Sequence, residues 1–486
     1  MRVLKNLAAF LKIAALALLL GARPAGAGEN ELPSIGESGA AALSVTEEQQ
    51  IGDQLMRSLY RFDILLDDPL ASDYLEHLGF RLVAANPDAR GRKFHFFVLE
   101  DPGFNAMAFP GGYIGVNTGL VAEAESESEL ASVLAHEVAH VTQRHLARRL
   151  ERAQQLTLPY LIGALGSILL AGIDPQLAIA GLTASQAGAT QNMINHTRAN
   201  EQEADRIGIA TLADSGLDPG AMAVFFGKMQ TAARYYRKPP EFLSTHPLTQ
   251  NRIAEARLRA AELPPARIRQ DPEFDLFKVR VVHLGEQNHD ALLQTWQDKA
   301  DKGQLRTDAD HYAWALALTR DRRFDLARRE LQALLQKDPD NPFFVIALAE
   351  LDLAANTPAQ ALPQVRAARL ANPSSYPLVM TEAKLLLARD QPEMARRLLL
   401  REQTDRMTPP QLKLLAEAES RAGLGAEMHE TQGLYLYGIG DLDGARLQYQ
   451  LALRKRSDDP YAQTRIQARI DQVREVMEMM KEERRR

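Results

Sequence analysis

Residues 127–142 read Glu-Ser-Glu-Leu-Ala-Ser-Val-Leu-Ala-His-Glu-Val-Ala-His-Val-Thr. Leu130, Val133, Leu134, Val138 and Val141 recur at helical spacing, and Ser126-Glu127-Ser128-Glu129 supplies a capping box, so a helix is expected from about 127 to 153. His136 and His140 are four residues apart, which puts both imidazoles on one face about 6 Å apart along the axis. Two imidazoles so placed converge on a single zinc ion. Glu137 follows the first of them, where its carboxylate is placed to take the proton of a water attacking a peptide carbonyl. The spacing therefore points to metal-assisted hydrolysis.

A catalytic zinc commonly takes three protein ligands. A metzincin would carry Gly three and His six residues after the second ligand, but those positions are Gln143 and Leu146. His145, five residues past His140, faces elsewhere on a continuous helix. A further helix is expected over about 192–214, and on it Glu201 is the best third-ligand candidate. Asp205 lies one turn on, on the same face, and suits a partner that orients a ligand imidazole. Glu203 points away from both and reads as a surface or packing residue. On spacing alone the cluster also reads as an acidic, solvated helix face.

Upstream, Thr46-Glu47-Glu48-Gln49 resembles a capping box that opens a helix carrying Ile51, Leu55, Leu59 and Tyr60. Lys93 to Leu99 has the aromatic and β-branched content of a strand, ended by Asp101-Pro102-Gly103. Ala106-Met107-Ala108-Phe109, Pro110-Gly111-Gly112 and Tyr113-Ile114-Gly115-Val116 form the sequence of a hairpin. An exposed strand at Ala106–Phe109 could pair with a substrate strand, with Gly111 and Gly112 allowing close backbone approach. An ordinary structural hairpin has the same sequence.

The remaining composition sets the context. The 486 residues hold no cysteine, which excludes disulfides, thiolate nucleophiles and Cys-ligated zinc, so a metal site must use His, Asp or Glu. A formal charge of −6 gives no support to nucleic-acid binding. The basic start Met1-Arg2-Val3-Leu4-Lys5, the apolar run Ile13–Leu20 and the Ala25-Gly26-Ala27 site read as a signal peptide at 1–27, cleaved near Ala27. An uncleaved anchor is the alternative, although the run is short for a bilayer. Loss of Arg2, Lys5, Lys12 and Arg23 takes the charge to −10. Residues 28–45 are a flexible leader and 46–265 a first domain.

After Leu263-Pro264-Pro265 the composition shifts toward Leu, Ala and Arg. Residues 266–304 read as linker helices, 305–470 as a repeat domain and 471–486 as a charged tail. Ala327, Ala361 and Ala395 are 34 residues apart, as are Pro339 and Pro373, and Pro358 and Pro392. Small residues precede these alanines by 12 positions at Ala315, Ala349 and Ala383, and Gly433 stands so to Ala445. That period and pattern are those of tetratricopeptide repeats, whose groove takes a peptide or protein partner; 403–430 departs from it. Residues 156–173 carry no charge. Together with the return segment to 190 they read as a helical lid over the metal or on a membrane surface, in preference to a transmembrane hairpin.

The HExxH helix, Glu-x-x-Ala-Asp at 201–205, the Pro-Gly-Gly-Tyr-Ile hairpin and Ser244-Thr245-His246-Pro247 together resemble the CAAX prenyl-protease and HtpX-type zinc peptidases. The resemblance implies an α-rich α+β chain: a mainly helical gluzincin-like domain with a small sheet, followed by an all-α tetratricopeptide solenoid. It implies one Zn2+ per chain held by His136, His140 and Glu201, Glu137 as general base and Asp205 as support. It places His246 to cap the zinc or stabilise the oxyanion, and Pro247 favours an extended backbone there. Arg252 is a weaker candidate for holding that loop. For an exported member with repeats, it implies a periplasmic endopeptidase that degrades misfolded or stalled outer-membrane β-barrel proteins and assists their assembly. Its repeats would then engage the β-barrel assembly machinery. The alternative is a chaperone or adaptor whose His-capped metal site stays latent.

Overall fold

The computed structural model describes residues 43–153, 187–235, 242–264, 271–401, 407–456 and 458–485. The signal peptide at 1–27, most of the leader at 28–45 and the apolar segment from 156 to 186 lie outside them. The described residues are mostly helical with one three-stranded sheet, which is the α-rich α+β class expected. No described helix is long and apolar enough to cross a membrane.

The chain divides into two compact units: Met1–Met56, Leu75–Gln270 and Glu478–Arg486 form the first, Arg57–Tyr74 and Asp271–Met477 the second. Residues 57–74, read from sequence as part of the first domain, therefore group with the repeats. Within that unit Arg57 lies 4.7 Å over the Tyr437 ring, Tyr74 stacks on Phe277 at 4.4 Å, and Asp68 forms a buried two-point pair with Arg280 at 2.6 and 2.7 Å.

The first elements are α1 (Val45–Arg61), α2 (Pro69–Ala85), β1 (His95–Leu99), β2 (Ala106–Phe109), β3 (Tyr113–Asn117), α3 (Thr118–Glu123) and α4 (Glu127–Thr142). Then come α5 (His145–Ala153), α6 (Ala187–Asp214), α7 (Ala221–Tyr235), α8 (Phe242–Thr245) and α9 (Gln250–Glu262). α1 starts one residue before Thr46, because Ser44 rather than Thr46 is the cap. Its Oγ accepts from the Glu47 N–H at 3.2 Å while Glu47 accepts from the Ser44 N–H at 2.8 Å.

The sheet order is β1-β3-β2, with β1 parallel and β2 antiparallel to β3. The expected hairpin is thus present, with β2 at the sheet edge among the described residues. At its turn Gly111 (φ 77°) and Gly112 (φ 80°) adopt the left-handed region. α4 runs beneath this sheet and between α6 and α7, and almost all of it is buried. Ser126 caps it by accepting from the Glu129 N–H at 3.2 Å, while Glu129 accepts from the Glu125 N–H at 2.9 Å.

The helix expected over 127–153 is two helices. It breaks at Arg144, which takes φ 50°. A left-handed arginine costs about 1–2 kcal/mol. It is held because the buried guanidinium reaches Glu48 at 3.2 and 3.3 Å and the Leu43 carbonyl at 2.5 Å.

The second unit continues with α10 (Pro272–Gly285), α11 (His289–Asp301), α12 (Asp308–Arg320), α13 (Phe324–Lys337), α14 (Pro342–Ala354) and α15 (Leu362–Ala371). It closes with α16 (Tyr376–Ala388), α17 (Pro392–Arg401), α18 (Pro409–Arg421), α19 (Gly425–Gly438), α20 (Leu442–Lys455) and α21 (Pro460–Arg485). The first residues of α12, α14 and α16 step by 34. Ala315, Ala349 and Ala383 on these helices are buried, as are Ala327, Ala361 and Ala395 at their partners. Where the next step would put an alanine stands His429, because α18 is inserted; the pattern resumes with Gly433 on α19 and Ala445 on α20. A Cβ at Gly433 would stand 2.4 Å from the Tyr449 ring, so only glycine admits that ring. The stretch 471–485 is not a free tail but the end of α21, with Ile470 and Val473 buried.

Candidate metal centre

Two helices bring the chemistry together. Gly208 on α6 would place a Cβ 3.2 Å from the His136 nitrogen, so its missing side chain lets α6 lie close against α4 at His136. Glu201 and Asp205 precede Gly208 on the same face of α6, so that close approach aims both carboxylates at the imidazoles. His136 Nε2 lies 3.0 Å from His140 Nε2 and 3.4 Å from Glu201 Oε2, and His140 Nε2 lies 3.4 Å from Glu201 Oε1.

His246, just after α8, enters the same cluster. Its Nδ1 is 3.3 Å from His136 Nε2 and 3.1 Å from Glu201 Oε2, while its Nε2 is 3.5 Å from Glu137 Oε1. The Phe242 ring stacks on this imidazole at 4.5 Å, and the His246 N–H donates to the Phe242 carbonyl at 2.8 Å. His246 therefore follows directly on a short helical turn, whose last hydrogen bond it closes.

The four groups offer one ligand atom each within 4.8 Å of one another. A tetrahedral ion with bonds of about 2.0–2.1 Å needs donors about 3.3 Å apart, and the pairs His136–His140, His136–His246, His136–Glu201, His140–Glu201 and His246–Glu201 stand 3.0 to 3.4 Å apart. Buried imidazole and carboxylate donors at that spacing fit a divalent metal.

A layer of supporting contacts surrounds them. His136 Nδ1 pairs with Asp205 Oδ1 at 3.0 Å, the arrangement expected for Asp205. Arg252, rated weak from sequence, is central: its Nε and Nη2 donate to Asp205 at 2.7 and 2.8 Å, and its Nη1 meets Glu201 at 3.1 Å and the Pro247 carbonyl at 2.9 Å. Burial opposes the charged form of Glu201, but His246, His140 and the His136 hydrogen bond hold its carboxyl well below the usual range. Burial likewise opposes Asp205, and Arg252 with His136 holds it down. Glu137 behaves oppositely. Burial raises its carboxyl above the ordinary value despite His246 and His136, and it accepts a hydrogen bond from the Ala108 N–H.

His145 lies where a continuous helix would not put it. The break at Arg144 turns His145 back toward the site, so that its Nδ1 lies 2.7 Å from His140 Nδ1. Its Nε2 lies 3.1 Å from Glu203 Oε2, and Arg148 donates to the same oxygen at 2.6 Å. Burial pushes the His145 imidazole down to about 4, against its Glu203 contact. Glu203 is half-buried and partnered, in keeping with the packing role expected of it. No local signal marks the break, since residues 143–146 contain neither Gly nor Pro.

The expected substrate edge divides. The Asn117 N–H donates to the Asn105 carbonyl, so by alternation Met107 and Phe109 turn their backbone groups to β3 while Ala106 and Ala108 turn theirs outward. The outward Ala108 N–H is the one that reaches Glu137. At Gly111 and Gly112 the direction a side chain would take is closed. A Cβ at Gly112 would meet the Lys93 carbonyl at 1.9 Å, and one at Gly111 the Glu48 carbonyl at 2.9 Å, so the protein's own backbone occupies both approaches.

Residues 69–260 match the family model of peptidase family M48. The chain is 38% identical over 456 residues to the β-barrel assembly-enhancing protease of Yersinia pestis, covering 92% of each. It is 37% identical over 486 residues to the protein of that name from Escherichia coli K12, covering 98% of each. Mitochondrial metalloendopeptidase OMA1 of Schizosaccharomyces pombe is 29% identical over 179 residues, which is 37% of this chain and 49% of that one.

Proposed function

The chain belongs to the family of β-barrel assembly-enhancing proteases, and on that premise we propose that it is a zinc endopeptidase of the bacterial envelope that removes stalled or misfolded outer-membrane β-barrel proteins. The observation that carries the chemistry is the cluster of buried His136, Glu201 and His246 with half-buried His140 beside the glutamate of the HExxH motif. His136, His140 and Glu201 are the proposed ligands. When bound, zinc supplies Lewis-acid polarisation and a water of lowered pKa.

The chain's own residues supply the remainder. Glu137 takes the proton of the attacking water on its carboxylate and returns it to the leaving amine. Asp205 fixes the His136 ring, and Arg252 fixes both Asp205 and Glu201. The outward backbone groups of β2 that Glu137 does not hold, those of Ala106 and the Ala108 carbonyl, are the proposed pairing edge for an extended substrate, which would align the scissile bond beside Glu137. Pairing through main-chain groups suits substrates that are themselves unfolded β-strands. The repeat unit is the proposed docking site for the assembly machinery, and export by residues 1–27 to the periplasm completes the reading.

His246 supports a second reading. With Nδ1 among the metal donors it is placed to occupy the position a water needs, which would make the resting protein a latent protease acting as chaperone or adaptor. Cleavage of an unfolded outer-membrane β-barrel precursor by the zinc-loaded protein and by Glu137→Gln tests both readings. Activity lost in the variant with zinc retained supports catalysis; equal activity in both refutes the role of Glu137. His246→Ala should change the rate with zinc still bound, and loss of the metal in that variant would make His246 an essential ligand instead.

A further inference from the structure

We propose that His145, Glu203 and Arg148 form a positioning relay that fixes the ring of His140 for metal binding. The inference rests on the reading of His140 as a ligand and concerns His145 and Arg148, which follow the HExxH motif, and Glu203, an unassigned position between Glu201 and Asp205.

The geometry admits one direction of hydrogen bonding. If His140 offers Nε2 to the metal, its proton must be on Nδ1, 2.7 Å from His145 Nδ1. That nitrogen must then accept, which requires a neutral His145 protonated on Nε2. Nε2 lies 3.1 Å from Glu203 Oε2, so the proton has an acceptor there, and Arg148 secures the same oxygen at 2.6 Å. The carboxylate thus selects the tautomer of His145, which selects the tautomer of His140 and presents Nε2 as a free lone pair. Partners of this kind hold ligand rings in orientation and raise their basicity.

The two ligand histidines are therefore supported differently. His136 leans directly on Asp205 at 3.0 Å, whereas His140 reaches its carboxylate through a second imidazole. The His145 side chain is 3% exposed, and that of Glu203 is 31% exposed. The outer end of the relay can therefore be changed with little disturbance to the core.

The test uses the full mature chain and zinc alone as probe, with affinity measured by chelator competition and kcat and KM on an unfolded barrel precursor. His145→Ala should lower zinc affinity about 10- to 100-fold and reduce kcat with little change in KM. His145→Asn, whose amide oxygen can accept from His140 Nδ1, should recover much of that loss. Glu203→Ala should weaken zinc binding in the same sense but cost nothing further in the His145→Ala background, since it acts only through that imidazole.

Wild-type affinity in His145→Ala, no recovery in His145→Asn, or additive losses in the double variant would each overturn the relay. Should His145→Ala fail to fold, Glu203→Ala decides alone, and unchanged zinc affinity there overturns the proposal. His140→Ala is the control for the underlying reading. If it keeps zinc at wild-type affinity, the ligand assignment itself is wrong; if it loses zinc while the relay variants bind normally, only the relay fails.

Discussion

Replacing Arg252 by Met tests how far the metal centre depends on its own counter-ion. The guanidinium is 4% exposed and makes two bonds to Asp205 at 2.7 and 2.8 Å, one contact to Glu201 at 3.1 Å and one to the Pro247 carbonyl at 2.9 Å. Methionine keeps apolar contact with the Phe226 ring, over which the guanidinium now lies at 5.0 Å, so the change is mainly one of charge and hydrogen bonding. Removing one partner of a buried pair costs about 3–5 kcal/mol, because the other charge stays desolvated. Here two carboxylates are left, so the metal-free protein should lose stability at the upper end of that range.

Zinc at the proposed site would change the balance. With the ion bound, Glu201 keeps a counter-charge, and only Asp205 and the Pro247 carbonyl lose a donor. The loss should then fall to about 2–3 kcal/mol, the worth of a hydrogen bond to a charged group. The stabilisation that zinc confers should accordingly be larger in Arg252→Met than in the wild type. Trp296 and Trp314 both belong to the second unit, so their fluorescence is the wrong probe. Hydrogen exchange of the α4 and α9 amides, with and without zinc, reads the right unit. A metal-free loss below about 1 kcal/mol, the range of an exposed pair, or equal losses with and without zinc, would refute the reasoning.

Three other perturbations give expected outcomes. Arg280→Met should destabilise the repeat unit by about 3–5 kcal/mol at neutral pH, read by tryptophan fluorescence during denaturation. Burial opposes the charged Asp68, but Arg280 holds its carboxyl below the ordinary value, so this stability is present above about pH 4 and lost as pH falls through the lower folded value. The gap between wild type and variant should therefore narrow in acid; a gap that widens there contradicts the assignment. Burial raises Glu419 to about 7, so its protonated form stabilises the fold below the unfolded carboxyl value and that stability drains away as pH rises toward 7. Glu419→Gln should flatten the slope between about pH 4.5 and 7, and an unchanged slope would remove Glu419 as its source. Gly112→Ala demands a left-handed alanine and a Cβ 1.9 Å from the Lys93 carbonyl; a loss of at least about 2 kcal/mol should appear as a lower melting temperature, and wild-type melting would show that the turn relaxes freely.

What was legible in the sequence is what repeats or is spaced by local geometry. The four-residue interval of His136 and His140, the four-residue interval of Glu201 and Asp205, and the 34-residue recurrence of small residues all follow from helix pitch or repeat length. Local rules also gave the hairpin, since Pro110-Gly111-Gly112 is a turn in any context. They do not say what the two glycines make room for, because whether the space left by a missing Cβ is open to a ligand depends on distant backbone. Gly112 lies against Lys93, and Gly111 lies against Glu48.

The helix break at Arg144 shows why the supporting shell was harder to see than the motif. Its left-handed backbone is disfavoured locally and held by Glu48 and Leu43, partners 96 and 101 positions away, so no window of neighbouring residues contains the cause. Yet that break alone decides whether His145 points to solvent or to His140. A continuous helix would carry His145 about 140° around from His140 and leave that ring without its inner partner. The motif tells which atoms could bind a metal; the tertiary contacts of one arginine determine which tautomer one of them presents. Arg144→Gly tests this link, because glycine adopts the left-handed backbone without the distant contacts. If the break serves mainly to aim His145, Arg144→Gly should keep zinc affinity near wild type while Arg144→Ala, which favours helix continuation, lowers it. Equal affinities in the two variants would separate the break from the metal site.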